Sequence, residues 1–133
     1  NMKNFDVQNV IINANFEKVF NYIADPANLP KWTKAFASAD SKKAVLSTPN
    51  GQLEVGLEVK TSKELGVIDW HMTMPDGSIA SAYSRITPNG KASVYIFVLM
   101  APPGPIEQVE GTLKQQMGML QEELQNLQKI LGE

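Results

Sequence analysis

The chain has 133 residues, a formal net charge of −2 at pH 7 and a hydrophobic content of 43%. That length fits one domain over residues 1–133, which can bury a core without covalent cross-links. The chain has no cysteine, so disulfides and thiol chemistry are excluded. All but one of its 12 cationic residues are scattered lysines, so we expect no nucleic-acid partner.

The apolar segments are short for a membrane protein. The longest apolar run, residues 94–103, is interrupted by Tyr95 and is too short to span a bilayer. Met2 is followed by polar residues, among them Lys3 and Asp6, rather than by an apolar core. We therefore expect no membrane span, no signal peptide and a cytoplasmic location.

The first 32 residues predict one strand and two short helices. Residues 2–12 are expected to form the strand. The helix that follows is amphipathic, with an apolar stripe at Phe16, Val19, Phe20 and Ile23. Asp25 and Pro26 end this helix, because the residue before a proline is disfavoured in the α conformation, and one further helical turn closes on Trp32.

The middle of the chain changes to a strand pattern. Strands are predicted over residues 35–40, 43–48, 53–59, 66–74, 79–87 and 92–100. The clearest strand is the third of these, in which apolar residues alternate with polar ones, so that one face is buried. Because tight Asn-Gly and Asp-Gly turns separate several of these segments, consecutive strands should pair antiparallel.

Residues 105–131 are predicted to form one long helix. Its apolar positions recur at helical spacing: Ile106, Val109, Leu113, Met117, Leu120, Leu124, Leu127 and Leu131. A sheet with an apolar face needs a cover, and no other long helix is available. The sequence therefore predicts an α+β fold, a curved antiparallel sheet of six or seven strands wrapped around the C-terminal helix; the alternative use of this helix is a coiled-coil dimer.

Pairing across the two predicted hairpins indicates which sheet face looks inward. If Asp76-Gly77 is the first turn, Trp70 opposes Tyr83, and opposed residues share a face. If Asn89-Gly90 is the second turn, Tyr83 opposes Ile96. We expect this mostly apolar face to be the interior, with a pocket on the order of 300–1,000 Å³ between sheet and helix.

Six side chains are the predicted lining of that pocket: Trp70, Met72, Tyr83, Arg85, Val98 and Met117. Arg85, the single arginine, could grip a carboxylate or an enolate, or else pair locally or reach solvent. Tyr83 could donate a hydrogen bond to a ligand carbonyl or simply pack. Methionines adapt to irregular apolar ligands and also fill ordinary cores.

The same pairing places Tyr95 and Phe97 on the outer face, where large aromatic side chains are unexpected. Either a bulge reverses the register of the last strand, or this face is a subunit contact, for example in a homodimer. His71 is expected on the outer face as a solvated side chain.

The sequence carries no motif of metal or cofactor chemistry. One histidine and no cysteine make a transition-metal site improbable, and we expect no metal and no cofactor. Glu54 and Glu58 lie on the wet face of their strand, so no inward pair of acids is predicted. Serine-hydrolase, phosphate-loop and zinc-protease motifs do not occur.

Several segments together resemble one superfamily. These are the helix at residues 16–23 with Ala24-Asp25-Pro26, then Leu29-Pro30-Lys31-Trp32, Asp69-Trp70, Asp76-Gly77 with Arg85 downstream, and the closing helix at residues 120–131. The chain resembles the SRPBCC, or START-like helix-grip, superfamily and is most similar to small bacterial polyketide cyclase/dehydrase-like proteins. The resemblance implies a hydrophobic cavity between sheet and helix.

Three functions are open at this point. The first is binding of a small hydrophobic or amphipathic molecule in the cavity, with an acidic or carbonyl group suited to the polar residues. The second is a cyclase or dehydratase in which Arg85 and Tyr83 stabilise an enolate. The third is a protein-interaction module that uses the outer face around Tyr95 and Phe97.

Overall fold

The computed structural model describes residues 3–104, 107 and 111–133. In chain order the elements are β1 (Phe5–Ile12), α1 (Phe16–Ala24), a 3-10 turn (Pro26–Asn28), α2 (Leu29–Trp32), β2 (Phe36–Ala39), β3 (Lys43–Thr48), β4 (Gly51–Ser62), β5 (Val67–Thr73), β6 (Ile79–Asn89), β7 (Ala92–Met100) and α3 (Leu113–Leu131).

The strands of the described residues form one antiparallel sheet in the order β1-β7-β6-β5-β4-β3-β2. The sheet curls into a half-barrel, and α3 lies on its concave face. The predicted α+β helix-grip arrangement is therefore confirmed, with seven strands and two short helices after β1. None of the helices in the described part of the chain is long and apolar enough to cross a membrane.

The two short helices begin at side-chain caps that the sequence contains. Asn15 Oδ1 accepts a hydrogen bond from Lys18 N at 2.9 Å and caps α1. Asp25 Oδ1 accepts from Ala27 N at 3.0 Å and begins the 3-10 turn. Because these turns are short, the chain reaches Trp32 at the edge of the concave face, and the Trp32 side chain is buried.

Helix α3 is fixed by an apolar seam and by hydrogen bonds to β1. The buried seam consists of Leu120, Leu124, Leu127 and Leu131. Gln8 Nε2 donates to Met117 O, and Gln128 Nε2 donates to Ile11 O, each at 2.9 Å. The helix therefore covers its own sheet, as expected.

The start of α3 differs from the prediction of one helix from residue 105. Gly111 has φ +96°, a left-handed conformation that favours glycine and interrupts an α-helix. Thr112 then caps α3 in a capping box with Gln115, so the helix begins at Leu113. The predicted apolar positions Ile106 and Val109 lie outside the described residues.

The register of the β5–β6 hairpin differs from the prediction by one residue. Thr73 pairs with Ile79, so residues 74–78 form the loop, closed by a hydrogen bond from Met74 N to Ser78 O at 2.8 Å. Trp70 consequently pairs with Ala82 instead of Tyr83. A shift of one residue moves every side chain of the partner strand to the other face.

Residues that pair across β6 and β7 share a face, so the side chains of both strands point to the side opposite to the one predicted. Tyr83, Arg85 and Val98 do share a face, as predicted, but it is the convex face. Tyr95 and Phe97 point into the interior, where they are buried and pack edge to face at 6.2 Å between ring centroids. The predicted outward placement of these two rings is wrong, and no bulge in β7 is needed to bury them.

Candidate functional site

A half-open cavity of about 150 Å³ lies between the concave face of the sheet, α2 and the first half of α3. Its apolar lining includes Leu29, Trp32, Phe36, Leu57, Trp70, Met72, Ala80, Ala82, Phe97, Leu99, Met119 and Leu120. The cavity is smaller than the expected 300–1,000 Å³. The reversed register explains part of the difference, because it turns the large Tyr95 and Phe97 rings into the space beneath the helix.

The floor of the cavity is built by strand alternation. Trp70 and Met72 are two residues apart on β5 and therefore point to the same side, toward the cavity. Ala82, opposite Trp70 on β6, is small and leaves room above the sheet. The predicted placement of Trp70 and Met72 in the wall thus agrees with the structure.

The other four predicted lining residues lie elsewhere. Tyr83, Arg85 and Val98 are on the convex face, and Arg85 Nε donates to Leu65 O at 3.2 Å. Met117 lies over β1, where its carbonyl oxygen accepts the bond from Gln8, whereas Met119 lines the cavity. The predicted inward orientation of Tyr83, Arg85 and Val98 is wrong for the physical reason given above, the five-residue loop at residues 74–78.

Glu123 supplies the single charged side chain among the described lining residues. Its Oε2 accepts a hydrogen bond from Lys34 N at 2.8 Å. Burial raises the pKa of Glu123 to about 7; the nearby Lys34 opposes this shift, and the negative charge of Glu122 adds to it. Lys34 Nζ forms an ion pair with Glu122 at the surface beside the cavity.

Buried polar groups without partners also belong to this region. Trp32 Nε1 and Trp70 Nε1 are buried and have no hydrogen-bond partner among the described residues, and both tryptophans line the cavity. Tyr95 Oη lies deeper in the core, and no described residue forms a hydrogen bond of good geometry with it. Burial raises the pKa of Tyr95, and the neighbouring Ser84 hydroxyl and Trp70 indole lower it in part. The Trp70 N–H thus lies beside Tyr95 Oη, which leaves the Trp32 N–H as the indole donor for a ligand.

Two site residues were missed in the sequence. Neither Trp32 nor Glu123 is among the six side chains that the sequence predicts for the pocket lining, yet both line the cavity. The spacing of the last helix could have revealed Glu123. The positions of Gln116, Leu120, Glu123 and Leu127 are separated by four, three and four residues, so all four lie on the buried side of the helix. An acid on the edge of an apolar stripe is a candidate for a partly desolvated group.

The described residues contain no group of three or more histidine, aspartate or glutamate side chains that could hold a metal ion. The cavity can instead provide apolar contact, the N–H donor of Trp32 and the Glu123 carboxyl group, whose pKa is about 7. His71, expected as a solvated residue, lies on the convex face, where its Nδ1 is 2.8 Å from Ser81 Oγ. It is therefore not part of this site.

Comparison with known proteins supports the fold. No protein-family model and no curated protein sequence matches the chain significantly. A START superfamily protein from Mycobacterium smegmatis has a similar structure, with a TM-score of 0.73, 13% identity and 97% of each chain covered. The START-like helix-grip fold is thus established for this chain, as the sequence resemblance predicted.

Two aromatase/cyclases have the same architecture. The Zhui aromatase/cyclase from Streptomyces sp. R1128 matches with a TM-score of 0.66 and 10% identity over 96% of this chain and 92% of that chain. The di-domain aromatase/cyclase BexL matches with a TM-score of 0.68 and 12% identity over 96% of this chain and 46% of that chain. At these identities the similarity defines the class of fold alone.

Proposed function

We propose that the protein binds a small hydrophobic or amphipathic molecule in the cavity between the concave face and α3. The observation that carries the proposal is the cavity itself, which is mostly apolar and has few polar groups, as ligand sites commonly are. Its volume of about 150 Å³ is close to that of an engineered protein cavity that admits benzene. A ligand with one ring is therefore the expected size, and Trp70 and Met72 are its proposed contacts on the sheet.

A cavity-filling substitution tests this proposal. In Ala82→Leu the added side chain occupies the space opposite Trp70, so affinity for toluene should fall at least about tenfold. Thr87→Leu is the matched control, because Thr87 is exposed on the convex side of the same strand. Calorimetric titration of the folded variants decides the matter: equal affinity of Ala82→Leu and the unchanged protein would contradict the proposed site.

A second proposed function is catalysis of the cyclase or dehydratase type. It is favoured by Glu123, a carboxyl group in the cavity wall whose pKa of about 7 suits a general acid or base. The aromatase/cyclases of the same fold make proton transfer next to a carbonyl the reaction class to test. The protein should accelerate deuterium exchange of the α protons of cyclohexanone, and Glu123→Gln should abolish the acceleration. Equal exchange rates with and without protein would exclude this function for that carbonyl class.

A third proposal is self-association through the convex face. The outward side chains of β1, β6 and β7 include the exposed Val7, Ile11, Ile79 and Tyr83, an unusual concentration of apolar groups on a surface. Asp69 lies beside Tyr83, and Arg85 is two residues further along β6. Opposite charges on one apolar patch are self-complementary under two-fold symmetry, so the occupant we propose is a second copy of this chain.

A further inference from the structure

Resting on the binding function proposed above, we propose that Glu123 selects the ligand, and that the cavity takes a single-ring compound with a hydroxyl group, of the phenol class. The hydroxyl hydrogen is donated to the Glu123 carboxylate, and the ring occupies the apolar space between Trp70, Ala82 and Leu120.

The carboxylate of Glu123 is held in place and only partly used by the protein. Oε2 accepts the hydrogen bond from Lys34 N, and Oε1 has no hydrogen bond from the described residues. Glu123 is half-buried, and a carboxylate that loses part of its hydration without gaining a full set of donors is destabilised. A ligand hydroxyl that donates to Oε1 restores such a bond inside the cavity, and a bond to a charged group is stronger than one between neutral groups.

The Trp32 indole favours a hydroxyl over a group that only donates. Trp32 is only 3% exposed, and its N–H group lacks a partner among the described residues, whereas the Trp70 N–H lies beside Tyr95 Oη. A hydroxyl oxygen can accept an N–H bond while its hydrogen is donated to Glu123. An ether can satisfy only the Trp32 indole, and a hydrocarbon satisfies neither the indole nor Glu123.

The charges around the cavity disfavour acidic ligands. Arg85 lies on the convex face and bonds to Leu65 O, so the anion grip left open by the sequence is not available in the cavity. No lysine or arginine is among the described lining residues. A ligand carboxylate would face the Glu123 carboxylate in a poorly solvated space. These charges favour a neutral donor over the acidic group that the sequence analysis included, with a carbonyl group, among the suitable ligand groups.

The selection should depend on pH. The charged groups that bear on Glu123 are Lys34 from the segment after α2 and Glu122 from α3 itself, and the sheet contributes none among the described lining residues. With a pKa of about 7, Glu123 is ionised at pH 8.5 and mostly protonated at pH 5.5. A phenol, with a pKa near that of tyrosine at about 10, stays mostly neutral at both values. The hydrogen bond from the phenol hydroxyl to Glu123 should therefore strengthen as the pH rises from 5.5 to 8.5.

The experiment titrates the protein with phenol, anisole, toluene and benzoate at pH 5.5 and 8.5. At pH 8.5 phenol should bind at least about tenfold more tightly than anisole, and benzoate should bind most weakly. This preference should shrink at pH 5.5 and should be lost in Glu123→Gln, which keeps the shape of the side chain and removes its charge. Glu122→Gln is the matched control, because Glu122 does not line the cavity, and it should keep the preference.

Several outcomes would overturn the inference. Anisole binding as tightly as phenol at pH 8.5, a preference that survives in Glu123→Gln, affinity for phenol that rises as the pH falls, or benzoate as the tightest ligand each contradict it. If toluene binds saturably while phenol has no advantage, the role of Glu123 fails and the proposed binding function stands. If none of the four compounds binds, both fail.

Discussion

At the scale of single residues, the cavity places one acid where solvation is poor. Glu123 lies next to a leucine seam, and its carboxylate receives one backbone N–H, that of Lys34. Burial favours its neutral form, so the side chain reduces stability when it is ionised. A group whose ionised form reduces stability at such a position is the basis of the ligand contact and the proton transfer proposed above.

The first prediction concerns the pH dependence of stability. The folded protein holds the Glu123 proton up to about pH 7, whereas the ordinary pKa is 4.5. Between these values unfolding releases a proton, so the free energy of unfolding should fall as the pH rises. Glu123→Gln should therefore be more stable than the unchanged protein by about 2–3 kcal/mol at pH 8 and by much less at pH 4.

Denaturant unfolding at both pH values measures this difference, with Glu122→Gln as control. Glu122 is exposed in its ion pair with Lys34, so its substitution should change stability little at either pH. A constant difference between Glu123→Gln and the unchanged protein across the pH range would contradict a desolvated carboxyl group.

The second prediction concerns Arg85. Its side chain is exposed on the convex face and bonds to Leu65 O, so Arg85→Met should leave the affinity for both benzoate and toluene unchanged. The same calorimetric titrations measure it. A selective loss of benzoate binding would restore the anion-grip hypothesis and contradict the register of β6.

At the scale of elements, the turns could be predicted from the sequence and the register could not. Asp76-Gly77 does lie in the β5–β6 turn, as predicted. The turn signal does not say, however, whether Met74 belongs to the strand or to the loop, and that one residue decides which face holds Tyr83. The buried aromatics Tyr95 and Phe97 were the signal for the correct choice, because a solvent-facing pair was already unexpected.

Helices were more predictable than strands because their apolar positions specify a face directly. Most described positions of the two stripes are buried as expected, including Val19, Phe20 and Leu124, whereas Phe16, Leu113 and Met117 are half-buried. The sequence did not predict the start of α3, because a single glycine only weakens a helix and does not by itself exclude one. In the structure Gly111 has a left-handed conformation, which an α-helix cannot contain, so α3 begins after it.

The third prediction tests the seam of α3. Leu124 is only 2% exposed, so Leu124→Ala should lower the free energy of unfolding by about 2–5 kcal/mol. Ile130→Ala on the same helix is the control, because Ile130 is 44% exposed and its truncation should cost far less. Thermal or denaturant unfolding of the two variants compares them, and similar losses for both would contradict the packing of α3.

At the scale of the whole molecule, the sheet has an apolar concave face and an apolar patch on the convex side. The concave face is covered by α3, while the convex face of β1, β6 and β7 keeps Val7 and Ile11 about half exposed. Antiparallel sheets commonly have one face against the core and the other in water, and this apolar patch is the basis of the self-association proposed above.

The fourth prediction is that this face mediates self-association. Sedimentation equilibrium should show a concentration-dependent dimer that Ile11→Lys converts to a monomer, because the substitution places a charge in the proposed contact. Ile130→Lys, an equally drastic change on the helix side of the molecule, should leave the dimer intact. A monomer at all concentrations for the unchanged protein would contradict the proposed contact.

The central claim is that the cavity under α3 binds a small ring compound, and the two tryptophans of the chain allow a direct test. Each indole N–H gives one signal in a nitrogen–proton NMR spectrum. Because both Trp32 and Trp70 line the cavity, both signals should respond to a ligand bound there. On titration with phenol at pH 8.5, both signals should shift together, saturate at one ligand per chain, and stay unmoved in Ala82→Leu. Saturable binding that leaves both indole signals unchanged, or no saturable binding at all, would contradict the account.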